Sequence, residues 1–267
     1  MDRRIEEFFA NEKIEYYAAI SYNDVRETRK YLIEREDFIP RSVIMFLLPY
    51  YGGECDNISR YAASLDYHIV IRDLTERLVS LLEKLYPESK AKGYGDHSPI
   101  DERDAALSAD LGILGRNGLL INEKYGTYIF IADVITDIPP EVLGVKEKAV
   151  HRECCGCGIC LSFCPTGILI GRGSDCLSAI TQKKGELSHS DEDLMRKYNT
   201  VWGCDECQCH CPHNADPKIS PIEFFHRDRI ERLDLDTLNS LSDEEFKKRA
   251  FAWRGRSVVE RNIKLFE

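Results

Sequence analysis

Two periods organise the apolar positions of the first 150 residues. Short apolar runs rich in β-formers occupy Glu15–Ser21 and Ser42–Leu48, each behind a polar–apolar segment of helical character, and read as strands. Tyr67, Val70, Ile71, Leu74, Leu78, Leu81, Leu82 and Leu85 then recur every three or four positions. They form one face of a long amphipathic helix that Pro87 ends. Leu119–Ile121 and Thr127–Ile135 flank the turn-rich Asn122–Gly126 and predict a hairpin. Ile138–Pro140 and a charged stretch lead out of the region, so an α/β domain is expected over 1–150.

Periodicity fades over 151–215, as expected of a segment organised by something other than an apolar core. Residues 216–267 regain a helical pattern. Ser242 is placed to cap a helix whose first turn carries Glu244 and Glu245. The expected class is α+β: a domain over 1–150, a cysteine-rich domain over 151–215 and a helical extension over 216–267. There is no internal repeat beyond a duplicated cysteine set, and no low-complexity linker.

At 267 residues the chain can hold one large domain or two modest ones with real cores. The N-terminus (MDRRIEEFFANEK) has no apolar signal region, and no stretch nears the roughly 20 apolar residues of a membrane span. A net charge of −10 argues against indiscriminate nucleic-acid binding while leaving room for a local basic patch. Eleven cysteines would suggest disulfides in a short secreted chain, but here all except Cys55 crowd into 154–211. A reducing cytoplasm suits thiols kept as metal ligands, so a cytoplasmic location is expected.

Cys154, Cys157, Cys160 and Cys164 are spaced C-x2-C-x2-C-x3-C and followed by Pro165, the pattern of a bacterial ferredoxin segment holding 4Fe–4S clusters. Cys176, Cys204, Cys207 and Cys211 form a second set, closed by Pro212. The fourth cysteine of each run crosses to the other cluster in two-cluster ferredoxins. Cys154, Cys157, Cys160 and Cys211 are therefore expected on one cluster, and Cys176, Cys204, Cys207 and Cys164 on the other. The long interval from Cys176 to Cys204 implies an inserted loop or helix. Paired C-x2-C units also bind zinc, but zinc sites usually lack the third step and the Cys-Pro closure. Cys155 and Cys209 are expected off the clusters, although Cys155 could compete with Cys154 in a shifted register. Cys55, beside Gly52–Gly53, reads as an inert buried thiol or a pocket residue.

Other segments resemble one family. SVIMFLLPYY (42–51) resembles an apolar strand ending in Pro-Tyr, and RYAASLDYHIVI (60–71) an R-Y-x4-D-Y-H-x-V motif. DHSPIDERDAALSADLGILGRNGLLI (96–121) resembles D-x-x-P-x3-R followed by G-L-G-x-x-G-[KR]-N, and GCDECQCHCPHN (203–214) resembles G-C-D-x-C-Q-x-x-C-P-x-N. Together these resemble the epoxyqueuosine reductases, cobalamin- and iron–sulfur-dependent enzymes of the last step of queuosine synthesis in tRNA.

The resemblance implies an N-terminal nitroreductase-like cobalamin-binding domain, a two-cluster ferredoxin-like domain and a short helical tail. It implies two 4Fe–4S clusters and cobalamin as cofactors, a tRNA anticodon stem-loop as partner, and an external low-potential electron donor such as a flavodoxin or ferredoxin. No membrane partner is implied. Asp96 stands where the family has its catalytic aspartate, although Asp96, Ser98 and Asp101 also suit a helix cap. Arg60, Tyr61, Asp66, Tyr67 and His68 match the segment expected near cobalamin, whose base-off form requires no histidine ligand. Arg103 could pair with Asp96 or hold a propionamide or hydroxyl. Arg116 replaces a frequent lysine with a differently shaped cation, and Asn117 matches.

Full-length relatives continue into a helical-repeat domain that helps hold tRNA, so a short form is expected. FKKRAFAWRGRSVVERNIK (246–264) carries seven basic residues, Lys247, Lys248, Arg249, Arg254, Arg256, Arg261 and Lys264, against Glu260. With Phe251 and Trp253 interleaved, it reads as a phosphate-contacting, base-stacking strip or as a charged amphipathic helix. An epoxide reductase, a reductase of another small electrophile and a non-catalytic two-cluster carrier all fit the cysteines. Retention of Asp96-x-x-Pro99 and of the Arg60–His68 segment favours the enzyme.

Overall fold

Ser42–Pro49 is buried at all of its eight positions, which a strand achieves only inside a sheet covered on both faces. The computed structural model describes residues 1–267 and divides into two compact units. Met1–Pro49 and His68–Gly156 form the first, and Tyr50–Tyr67 and Cys157–Glu267 the second.

The first unit contains α1 (Arg3–Asn11), β1 (Tyr17–Ser21), α2 (Lys30–Ile33), β2 (Ser42–Pro49), α3 (Tyr67–Leu85) and β3 (Ala91–Gly95). It continues with α4 (Glu102–Ser108), β4 (Ile113–Leu114), β5 (Leu120–Ile121), β6 (Ile129–Thr136) and α5 (Pro140–Leu143). The main sheet runs β1-β2-β6-β3, antiparallel throughout, with Ser42 opposite Thr136 and Tyr94 opposite Asp133. Phe9 of α1 packs on Phe46, ring centroids 5.4 Å apart. On the opposite face Val43, Met45, Leu47 and Ile135 share a core with Ala105, Ala106 and Leu107 of α4. Each fully buried Val, Ile, Leu or Met side chain among them contributes about 1.5–3 kcal/mol. Helix α3 lies tight against edge strand β3: a Cβ on Gly93 would stand 2.2 Å from Thr75 Cβ, and one on Gly95 2.6 Å from Ile71 Cγ2.

The expected hairpin forms only at its turn. Asn122 and Gly126 exchange backbone hydrogen bonds of 2.8 and 3.0 Å, but β5 pairs with β4 and β6 departs to run between β2 and β3. Strand β6 carries mostly apolar side chains on both faces and gains more burial in the centre of the sheet than beside a two-residue partner. Strand β3 (AKGYG), which has no apolar alternation, is absent from the sequence reading; its glycines admit α3.

The second unit holds α6 (Ile159–Ser162), α7 (Leu177–Thr181), α8 (His189–Lys197), α9 (Glu206–Cys209), α10 (Leu235–Ser240), α11 (Asp243–Lys247) and α12 (Arg256–Ile263). Its core gathers Ile58, Trp202, Phe246, Phe251, Val258, Val259 and Ile263. The segment 50–67 is sewn in by Ser59 N–H to Trp202 O (2.8 Å), Val201 N–H to Asn57 O (2.7 Å) and Asp66 N–H to Lys248 O (2.8 Å). The interval between Cys176 and Cys204 is helical, as α7 and α8, which meet through Leu177, Ile180 and Met195. Ser242 caps α11 in a reciprocal box with Glu245.

Candidate functional site

The loop after β3 presents Asp96 in a left-handed conformation, φ 63°, which a non-glycine residue enters at a cost of about 1–2 kcal/mol. Its N–H donates to Glu102 Oε1 at 2.7 Å, and its Oδ2 lies 3.6 Å from His68 Nε2 at the start of α3. The helix-cap role belongs to Asp101, which accepts the Asp104 N–H; Asp96 lies outside the helix. Behind the loop, buried Ser98 donates its hydroxyl to Asp133 Oδ1 at 3.3 Å. Asp133 is fully buried in β6, and that burial pushes its carboxyl up to about 7. Burial, then the neighbouring charge of Asp133, pushes Glu102 up to about 8. The sequence points to neither Glu102 nor Asp133, and to Ser98 only as a helix-cap candidate. The signal available was a lone carboxylate inside the apolar run IFIADVIT.

Arg103 donates to Gly118 O at 2.7 Å, bracing the loop that carries Arg116 and Asn117. In that loop Arg116 is exposed, while Asn117 Nδ2 is buried without an acceptor. A buried amide donor left open in this way suits an incoming amide or carbonyl oxygen, the groups that fringe a corrin ring. The same loop borders Cys154, whose N–H donates to Leu114 O at 2.9 Å, and Arg116 Cδ lies 4.0 Å from where a Gly156 Cβ would be.

In the second unit, Arg60 is held by Asp205 (Nη1 to Oδ2, 3.3 Å) and by Glu54, and its Nη1 meets Cys209 Sγ at 2.8 Å. Asp205 also accepts the Ser59 hydroxyl at 2.6 Å. Tyr61 accepts the Trp202 indole N–H at 2.9 Å and sets its ring edge-on to Tyr67. Asp66 is anchored through its backbone to Lys248.

All eleven cysteines are free. Helices α6 and α9, which carry Cys160 and Cys207, pack together, and Phe163 stacks on His210 at 3.6 Å between centroids. Cys204 is driven well above the ordinary thiol range by burial, with Cys176, Asp205 and Cys207 adding to the effect. A site that penalises a lone thiolate so heavily is one where bound iron would supply the missing positive charge. Burial would raise the Cys164 thiol too, but the Leu169, Thr166 and Gly167 backbone donors leave it below its ordinary value. Both environments fit iron–sulfur ligation. Cys55 is pushed up to about 11 by burial, despite Arg229 nearby, and so is an unreactive thiol at neutral pH.

The basic strip divides sharply. Arg249 is buried, its Nη1 on Asp228 O; Arg256 donates to Leu238 O (2.7 Å) and Leu241 O (2.8 Å); Arg261 donates to Lys183 O (2.8 Å) and Gly185 O. Lys264 pairs with Glu260. Trp253 remains exposed, with the Arg254 guanidinium 3.7 Å above its ring.

The family model described as epoxyqueuosine reductase QueG, DUF1730, matches residues 39–97, from the approach to β2 through the Asp96 loop. An epoxyqueuosine reductase of Staphylococcus aureus is 32% identical over 205 residues, covering 74% of this chain and 52% of that one. One from Leadbetterella byssophila is 33% identical over 236 residues, covering 84% of this chain and 76% of that one. The chain thus spans about half the length of the Staphylococcus aureus relative. In fold it resembles an epoxyqueuosine reductase solved with an epoxyqueuosine-modified tRNA-Tyr stem loop: TM-score 0.76, 24% identity, 98% of this chain and 80% of that one.

Proposed function

The chain belongs to the epoxyqueuosine reductase family, and we propose that it reduces the epoxide of epoxyqueuosine in tRNA to queuosine. On this reading residues 1–150 are a nitroreductase-like domain that binds cobalamin, 151–215 a ferredoxin-like domain with two 4Fe–4S clusters, and 216–267 a helical extension. The work is cytoplasmic, with electrons from an external low-potential donor such as a flavodoxin or ferredoxin. The observation that carries the reading is the presentation of Asp96 on a strained loop beside His68, in a chain with two cluster-spaced cysteine sets.

Cobalamin, fed through the clusters, would supply the low-potential reducing centre; the protein supplies placement and protons. Removing the epoxide oxygen as water takes two electrons and two protons. Asp96 delivers a proton to that oxygen, and His68 is placed to return one to the Asp96 carboxyl. Asn117 Nδ2 and Arg116 would hold amide oxygens of the corrin periphery, and Arg103 keeps their loop in place. Cys154, Cys157, Cys160 and Cys211 would ligate one cluster, and Cys176, Cys204, Cys207 and Cys164 the other. Arg60, Tyr61, Asp66, Tyr67 and His68 would belong to the segment that approaches the cofactor, and the Arg60 charge is met by Asp205 and Glu54. The relative solved with a tRNA stem loop supports an anticodon stem-loop as the substrate's carrier.

Anaerobic reconstitution with iron, sulfide and cobalamin, then reductant and epoxyqueuosine-containing stem-loop, tests the reading. About eight irons, one cobalamin and loss of the epoxide are expected, with Asp96→Asn slowing turnover about 10²–10⁴-fold while keeping all cofactors. Iron without cobalamin overturns the reductase, and cobalamin without epoxide loss overturns the substrate.

A further inference from the structure

Asp96 occupies the left-handed backbone region, and its N–H there donates to Glu102 Oε1 at 2.7 Å. The rest of the loop is gripped from both sides. Arg29 Nη1 donates to Ser98 O (3.3 Å), and the Thr28 and Arg29 N–H groups donate to Pro99 O (2.9 and 3.0 Å). Beneath it Ser98 is tied to Asp133. These ties hold 98–101, and Glu102 meets the backbone of the turn at Asp96 itself.

We propose that Glu102 is a positioning residue for the proton-donor loop: by accepting the Asp96 N–H, it selects the backbone turn that sets the Asp96 carboxylate beside His68. The proposal rests on the reading of Asp96 as proton donor. It assigns a role to a half-buried carboxyl that the reaction itself does not use.

The charged groups around Glu102 make the latch pH-sensitive. Asp133 faces it from β6, Asp96 from the loop and Arg29 from the approach to α2, while Tyr94 and Tyr22 face Asp133. With its carboxyl pushed up to about 8, Glu102 is mostly protonated at neutral pH and gains charge as the pH rises further. A charged acceptor holds an N–H more tightly than a neutral one. The Asp96 turn therefore tightens through this range.

The test uses the reconstituted holoenzyme as wild type, Glu102→Ala and Glu102→Gln. Amide exchange is followed in the peptide spanning 93–101, alongside single-turnover reduction and binding of the stem-loop. Glu102→Ala is expected to speed exchange at Asp96 at least tenfold and slow turnover about 10²-fold, with stem-loop affinity unchanged. Glu102→Gln keeps an acceptor oxygen, so most protection and rate return, while the rise in wild-type protection between about pH 7 and 9 is lost. Unchanged exchange in Glu102→Ala, or lost protection with full turnover, overturns the proposal. If Glu102→Ala does not fold, the pH dependence of Glu102→Gln decides: a rise like the wild type's overturns it. Exchange needs no turnover, so a working latch in a protein that never reduces the epoxide would sink the functional reading alone.

Discussion

Tyr94 and Asp133 are directly opposed in the β3–β6 register, and the Tyr94 hydroxyl and Asp133 Oδ2 are both buried without a hydrogen-bond partner. Two orphaned oxygens under one loop are a cost that an ordinary structural site would have eliminated, since each stands for about 1–3 kcal/mol of desolvation. Their position beneath Ser98 and the Asp96 loop ties that cost to the candidate site.

The Asp133 carboxyl gives the first prediction. Burial raises it from an ordinary value near 4 to about 7, so the folded state holds its proton more tightly than the unfolded chain. The stability this provides is fully present below about pH 4 and is lost as the pH climbs through 7. Asp133→Asn removes the dependence. Thermal unfolding at a series of pH values should show the variant gaining about 1–3 kcal/mol on the wild type at pH 8 and nothing at pH 4. Parallel curves would mean the carboxyl is not perturbed.

Cys204 and Cys55 are both half-buried thiols raised by desolvation, and only one belongs to a cluster-spaced set. Cys204→Ser should lose about four of about eight irons, with matching sulfide, whereas Cys55→Ser should keep them all. Cys155→Ser and Cys209→Ser are expected to behave like Cys55→Ser. Iron loss from Cys155→Ser would mean that the first run is read in the shifted register.

The basic strip yields a separation of stability from binding. Arg256→Ala removes two hydrogen bonds to the carbonyls of Leu238 and Leu241 and should cost about 1–3 kcal/mol in unfolding. Trp253→Ala should leave the melting temperature unchanged and weaken stem-loop binding about 5- to 100-fold, the worth of one stacked base. Equal binding by the Trp253 variant would remove this face from the nucleic-acid surface.

Gly93 tests the packing of α3 on the edge strand. An added Cβ would stand 2.2 Å from Thr75 Cβ, so Gly93→Ala must push the helix from the sheet, at about 1–3 kcal/mol. Chemical denaturation measures it, and a Thr75→Ala second change should recover part of the loss. No recovery would place the strain elsewhere.

Much of the secondary structure was open to local reading. Strands β1 and β2 and helix α3 carry their periods in the chain, and Ser242 its capping signal, because each depends on residues within a few positions. β3 and the partner of β6 were not legible, since AKGYG owes its place to the close approach of α3 rather than to its own pattern. The affiliation of 50–67 with the second unit rests on the burial of Ile58 and Ala62 in that unit's core and on hydrogen bonds to Val201, Trp202, Asp205 and Lys248, far along the chain.

The sequence alone determined the two cysteine sets and their spacing, because cluster ligation is written in short intervals; Asp96 stood out only through the family resemblance, since its own neighbours suited a helix cap equally. Tertiary structure alone decided that Glu102 meets the Asp96 N–H, that Asp133 lies buried beneath Ser98, and that Arg249, Arg256 and Arg261 serve carbonyls rather than solvent. A side chain's charge is local, but its cost is set by what burial leaves beside it. That depends on pairings between strands and helices that no interval along the chain records.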